Sequence, residues 1–183
     1  MLAPPIVETA RLVLAPPAAA DAEAIFARYA SDAGVARYLA WPRHATLADT
    51  HRFLAFSAAV WERDGVGPYL IWSQADGRLL GSTGLDAESD RQASTGYVLA
   101  RDAWGHGYAT EALTAMVDVA TDTGFRRIHA LCHPDNRASQ HVLEKCRFER
   151  DSTWNRPIEF PNLAPGVPQA VLRYGRALEP AAR

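Results

Sequence analysis

Only two cysteines, Cys132 and Cys146, occur in the 183 residues, and no histidine stands at metal-ligand spacing beside them. A disulfide framework is excluded by count, and no metal site is expected. No apolar run is long enough to cross a bilayer; the longest convincing one is FLAFSAAVW, from Phe53 to Trp61. The first residues, MLAPPIVETARL, lack a basic start ahead of an apolar stretch, so no signal peptide is expected and the cytoplasm is the expected location. A surplus of charge is missing too. The net charge of −2 gives no electrostatic case for a nucleic acid or an anionic membrane as partner. Lysine is nearly absent, Lys145 being the only one, while arginine and alanine are plentiful. That bias reads as background composition.

What is present is ordinary for a folded soluble chain: 48% hydrophobic and 22% charged residues. The length suits one domain over residues 1–183 with a full core. Arg11–Leu14 reads as a strand stopped by Pro16 and Pro17. Asp21 can cap a helix carrying Ile25, Phe26 and Tyr29. A short helical piece follows at Val35–Leu39. Thr46 and Asp49 resemble a capping box opening a longer helix with Phe53, Leu54, Val60 and Trp61 on its core side.

Pro68–Gln74 and Leu79–Leu85 read as strands joined through Ala75-Asp76-Gly77-Arg78, a hairpin signal. A polar turn, Asp86–Gln92, leads to a strand ending at Ala100. Ala109, Ala112, Leu113, Met116, Val117 and Ala120 form one helical stripe that Gly124 stops. Arg127–Cys132 is a further strand, and Asp135 can cap a helix reaching Cys146. Phe148–Trp154 and Ala170–Leu178 read as the last strands, separated by a proline-rich loop, Asn155–Pro168. The order implies a mixed α/β (α+β) layer fold with a largely antiparallel sheet flanked by helices.

Between the strand GYVLA (Gly96–Ala100) and the helix lies RDAWGHGYATEA, Arg101–Ala112. Strand, tight glycine loop and helix start aim several backbone N–H groups and the positive helix end at one point, a site for an anion such as a pyrophosphate. Gly105 and Gly107 permit the turn and the approach of a ligand. Two glycines before a helix can equally serve turn geometry alone. No third glycine stands at the Rossmann spacing.

Here the residues resemble the GNAT acetyltransferase superfamily. WGHGYA fills the slot of its pyrophosphate loop, Q/R-x-x-G-x-G/A, and CHPDNRAS looks like the Asn-x-x-Ser opening of its coenzyme-contacting helix. VLEKCRF sits where that helix usually ends in Gly-Phe. TARLVLAP and ARYLAWP are similar to the branch that acetylates N-terminal alanine or serine of ribosomal proteins. Roughly residues 8–176 are covered. Three positions depart: Trp104 replaces the Gln/Arg, Arg147 replaces the glycine before Phe148, and Leu143 stands where many members carry a catalytic tyrosine.

The resemblance implies acetyl-CoA as co-substrate, with Trp104, Gly105, His106, Gly107, Tyr108, Ala109 and Thr110 at its pyrophosphate. Val98 and Leu99 would pair with pantetheine, and a backbone N–H near Leu99 or Ala100 would polarise the thioester carbonyl. Asn136 and Ser139 would meet the coenzyme, with Asn136 equally readable as a helix cap. Ser139 shares a helix face with Val142, Leu143 and Cys146 and is expected to point inward, as proton donor to the leaving thiolate. His133 and Glu159 are candidate bases, with Asp86 and Glu88 behind them. Tyr38, Trp41 and His44, with the 155–168 loop, are expected to wall the acceptor site. Glu111 is expected to buttress the helix rather than touch the ligand.

The acceptor is expected to be a primary amine, first a protein N-terminal α-amine. At a pKa near 7.8 about a tenth of such an amine is neutral at pH 7, so a strong base is dispensable. A small-molecule amine, and a coenzyme-binding sensor without catalysis, stay open. The resemblance also leaves room for a homodimer.

Overall fold

The computed structural model describes residues 2–179. One eight-stranded sheet runs in the order β1-β2-β3-β4-β5-β6-β10-β7. Its strands are β1 (Val7–Glu8), β2 (Leu12–Ala15), β3 (Pro68–Ser73), β4 (Leu79–Ser89), β5 (Gln92–Leu99), β6 (Arg127–Cys132), β7 (Glu149–Arg150) and β10 (Leu172–Ala177). A separate ribbon pairs β8 (Ile158–Glu159) with β9 (Pro168–Gln169). Every neighbouring pair in the large sheet is antiparallel except β5 and β6.

Helices cover both faces. On one side lie α1 (Ala22–Ile25), which widens into a π turn at Phe26–Ala30, then α2 (Ala33–Ala36) and α3 (Leu47–Asp64); on the other lie α4 (Tyr108–Asp122) and α5 (Arg137–Lys145). Two core clusters follow from this layering. Leu113, Met116, Ile128, Leu143 and Tyr174 pack in one; Ile25, Tyr29, Leu54, Leu70 and Val98 pack in the other. The period-2 pattern of β5 sends Tyr97 and Leu99 to the first and Val98 and Ala100 to the second.

Several boundaries differ from the sequence reading. The expected polar turn at Asp86–Gln92 is strand: β4 runs on to Ser89, β5 starts at Gln92, and only Asp90 and Arg91 turn. Ala87 and Ala93 face the core there while Asp86 and Glu88 face outward, so alternation mimicked a loop. The strand expected over Phe148–Trp154 is only Glu149–Arg150, because the Asp151 carboxylate takes the Thr153 N–H (3.0 Å) and hydroxyl (2.6 Å) and curls the chain. Asn136, not Asp135, caps α5, its Oδ1 accepting the Ser139 N–H at 3.2 Å. Arg147 keeps the left-handed turn at φ 62° despite its side chain. The Thr46–Asp49 pair works as read, with Asp49 Oδ2 accepting the Thr46 N–H at 2.8 Å.

The parallel pairing of β5 and β6 positions the site. It joins Gln92–Ser94 to Arg127–His129 and stops, although β5 continues to Leu99 and β6 to Cys132. Beyond Ser94 the strands part, and a wedge opens through the sheet.

Candidate functional site

Backbone groups on the open edge of β5 follow from its ladder with β4. Ala100 donates to the Leu80 carbonyl at 2.8 Å, so the alternation of an antiparallel pair turns Val98 toward β4 and the N–H groups of Tyr97 and Leu99 toward the wedge. The Ala100 amide, offered by the sequence as one of two oxyanion donors, is therefore spent inside the sheet. Leu99 remains. Its carbonyl accepts the Trp104 indole N–H at 2.9 Å, which pins the following loop to the strand end.

That loop turns through Gly105 (φ 78°) and Gly107 (φ 80°), left-handed values that only glycine adopts without strain. Among the described residues no protein acceptor is met by the N–H groups of Gly105, His106, Gly107, Tyr108, Ala109 or Thr110; the first inward bond of the turn is Glu111 N–H to the Gly107 carbonyl. Six neighbouring amides at the positive end of a 15-residue helix make a cradle for an anion. Behind it, Arg11 donates to the His106 carbonyl at 2.9 Å. His106 donates from Nδ1 to the Trp104 carbonyl at 2.7 Å and stacks on Tyr108. Glu111 buttresses from outside, bonded to Thr9 and Arg11.

A cavity of about 490 Å³ fills the wedge and passes from one face of the sheet to the other. Asn136, Ser139 and Cys132 line it on the α5 side; Tyr38, Trp41, Phe53 and Phe56 line it on the α2–α3 side. The Ser139 hydroxyl lies 2.9 Å from the Tyr97 hydroxyl. Among the described residues Asp86 is the one carboxylate on the wall. A second bay of about 510 Å³, with Ile25, Tyr29 and His44, adjoins it and shares Trp41, Phe53 and Phe56. Burial holds His44 below the usual imidazole range, and its Nδ1 lies 2.9 Å from Thr50 Oγ1.

The two bases offered first by the sequence stand elsewhere. His133 is buried, stacked on Tyr38 and met edge-on by Phe160. Its Nδ1 accepts the Asp135 N–H at 3.1 Å, and its Nε2 faces Gln169 Oε1 at 3.4 Å, so both nitrogens are engaged. Glu159 points away from the cavity that its neighbours Ile158 and Phe160 line, and accepts the Gly166 N–H at 2.8 Å. Period-2 alternation in β8 decides that. Glu88 pairs with buried His129 at 3.3 Å.

Sequence reasoning missed two residues. Asn162 fastens the 155–168 loop to the acceptor-side wall: its Nδ2 donates to the carbonyls of Ala36 and Trp41 (both 2.8 Å) and its Oδ1 accepts the Arg43 N–H at 2.8 Å. Tyr97 was read only as a strand residue, yet its hydroxyl reaches the cleft. Neither carries a local signal, since both act across the fold.

Among the described residues, no group of three histidine, cysteine or acidic side chains could hold a metal, and no helix is long and apolar enough to cross a membrane.

Comparison with known proteins fits this geometry. A model of the acetyltransferase (GNAT) domain matches residues 11–149. An uncharacterized N-acetyltransferase of Bacillus subtilis, YoaA, is 30% identical over 150 residues, which is 80% of this chain and 84% of that protein. The structure of RimL, a ribosomal L7/L12 alpha-N-protein acetyltransferase in complex with coenzyme A, superposes with a TM-score of 0.83 at 21% identity, covering 94% of this chain and 98% of that one. The microcin C7 self-immunity acetyltransferase MccE, in complex with acetyl-CoA and AMP, gives 0.81 at 19% identity, covering 93% and 94%. The unpaired amides, the parted strands and the match over three quarters of its length make this chain a member of the GNAT family, an acetyl-CoA-dependent N-acetyltransferase.

Proposed function

We propose that the protein acetylates the α-amine at a protein or peptide N-terminus, by direct attack of the amine on the thioester, within a single domain spanning the chain and in the cytoplasm. The carrying observation is the through-going cavity: coenzyme-side residues Asn136 and Ser139 and acceptor-side residues Tyr38, Trp41 and Phe56 line one continuous space. The amides from Gly105 to Thr110 hold the pyrophosphate, and the open edge of β5 at Tyr97–Leu99 pairs with pantetheine. The Leu99 N–H stabilises the developing oxyanion. Ser139 hydrogen-bonds the departing sulfur.

Among the described residues no imidazole lines this cavity and Asp86 is its one carboxylate, a weak base, which favours an α-amine over lysine. About a tenth of the former is neutral at pH 7, against about 0.04% of the latter. Asp86 gives the incoming ammonium an ion-pair partner, and positioning of the two substrates supplies most of the acceleration. RimL, similar in fold, acts on a ribosomal protein N-terminus by its name. MccE, equally similar, is named for immunity to an antibiotic.

The deciding experiment incubates the protein with acetyl-CoA and a panel of peptides beginning with Ala, Ser or Met beside small amines, and follows free thiol. Release with peptides supports the proposal. Release with small amines alone moves the acceptor to a metabolite or antibiotic, and binding without release across the panel identifies a coenzyme sensor.

A further inference from the structure

We infer that Tyr97 is a positioning residue of the acyl-transfer site, its phenol holding the Ser139 hydroxyl so that the serine proton is free for the coenzyme sulfur. This rests on the assignment of Ser139 proposed above. The two side chains come from opposite walls of the wedge, Tyr97 from β5 and Ser139 from the first turn of α5. Tyr97 Oη lies 2.9 Å from Ser139 Oγ and 3.1 Å from the Ser139 carbonyl, and among the described residues no other partner meets the phenol. Both residues line the cavity.

One phenolic proton has two acceptors, and the choice sets the direction of the serine hydroxyl. Donated to the Ser139 carbonyl, it obliges Ser139 to give its own proton to the phenol oxygen. Donated to Ser139 Oγ, it leaves the serine proton with the neighbouring Cys132 thiol, a weak acceptor, as its partner. An arriving coenzyme sulfur that carries negative charge is the stronger acceptor, displaces that contact and selects the second arrangement. Burial pushes the Tyr97 phenol well above its ordinary range, so it serves as a neutral donor and not as a phenolate. The groups facing the pair are the Cys132 thiol of β6 and the Cys146 thiol at the end of α5. Burial raises both thiols, so neither brings a charge. Among the described residues Asp86, on β4, is the one acid whose side chain lines the cavity.

Helix α5 itself offers no phenol. Residue 143, one turn beyond Ser139, is a leucine with no exposed surface, packed in the core. The hydroxyl pair is instead assembled across the cleft. In the reaction the amine nitrogen bonds to the acyl carbon and the carbon–sulfur bond breaks with its electron pair going to sulfur. The proton shed by the amine is the one the thiol finally gains. Tyr97 and Ser139 end as they began, having held the sulfur's negative charge in a two-bond chain.

The test reads the thiol of bound coenzyme A directly, by its ultraviolet thiolate absorbance across pH, in wild type, Tyr97→Phe, Ser139→Ala and the double variant. Removing either hydroxyl should raise the bound thiol's midpoint by about one pH unit, and the double variant should match Ser139→Ala. With acetyl-CoA and the best acceptor, Tyr97→Phe should lower kcat about ten-fold and leave the acetyl-CoA KM within about two-fold. Identical midpoints in wild type and Tyr97→Phe, with coenzyme bound to both, would overturn the inference while leaving the N-acetyltransferase reading intact. Should coenzyme A not bind the wild type, the inference falls together with the loop assignment beneath it.

Discussion

Arg11 and Glu111, one hundred residues apart in sequence, lock the start of β2 to the first turn of α4. Glu111 Oε1 accepts the Arg11 N–H at 2.8 Å and the Thr9 hydroxyl at 2.6 Å, while Oε2 accepts Arg11 Nε at 2.7 Å. The remaining reach of the guanidinium goes to the His106 carbonyl and the face of Tyr108. That carbonyl is turned toward Arg11, and the loop amides are left for a ligand.

Arg11→Ala should therefore weaken coenzyme A binding about ten-fold without unfolding the protein, as read by titration calorimetry. The effect has a geometric part and an electrostatic part, because Glu111 is left uncompensated beside the anion. Adding Glu111→Gln to Arg11→Ala should recover some of the loss. A double variant weaker than the single would refute the electrostatic part.

Gly107 tests the cradle itself. A Cβ there would meet nothing closer than Arg11 Nη2 at 3.5 Å, so the obstacle is the left-handed backbone and not crowding. An L-residue costs about 1–2 kcal/mol in that region, and the loop escapes the cost by rotating its amides away. Gly107→Val should abolish coenzyme binding with a melting temperature lower by no more than about 5 °C. Unchanged affinity would remove the 105–110 amides from the site.

The acid limb of stability should bear the mark of Asp32. Its carboxylate caps α2 through the Gly34 and Val35 N–H groups and meets Arg101 Nη2 at 2.7 Å. The Arg101 guanidinium, with the capping amides, draws its pKa from 3.8 down to about 2. A folded value below the unfolded one means the contribution is complete above about pH 5 and fades as pH falls from about 4 to about 2. Asp32→Asn keeps the cap and removes the charge. Its melting temperature should lie about 1–3 °C below wild type at neutral pH, and the gap should close by about pH 2. A gap that persists there would mean the ion pair is not its source.

Features that live in one stretch of chain were legible before any coordinates. The glycine loop and the Thr46–Asp49 box are local, and their backbone geometry is written within a few residues; at the opening of α5 the sequence offered Asp135 as cap with Asn136 also readable so, and the structure uses Asn136. His133 and Glu159 mislead for the opposite reason. An imidazole past a strand end and an acid in a loop look available, but Tyr38, Phe160 and Gln169 close around the first, and strand alternation turns the second outward. The Tyr97–Ser139 pair spans 42 residues and exists only because β5 and β6 part after three paired positions. No local pattern encodes that parting.

Asn162 carries the same lesson into the acceptor wall. Its three hydrogen bonds reach the backbone of Ala36, Trp41 and Arg43, 119 to 126 residues away, and they are the polar link between the 155–168 loop and the segment bearing Tyr38, Trp41 and His44. Asn162→Ala leaves the Trp41 carbonyl and the Arg43 N–H to find water, while the Ala36 carbonyl keeps the Leu39 N–H at 3.0 Å. At about 0.5–1.5 kcal/mol for each bond, the melting temperature should fall by several degrees. The coenzyme cradle lies on the other face of the sheet and shares no bond with Asn162. Acetyl-CoA affinity should thus stay within about two-fold of wild type, while the acceptor KM rises about five-fold or more. Calorimetry and initial-rate kinetics separate the two. An equal loss for both substrates would show that the loop supports the whole wedge and not the acceptor side alone.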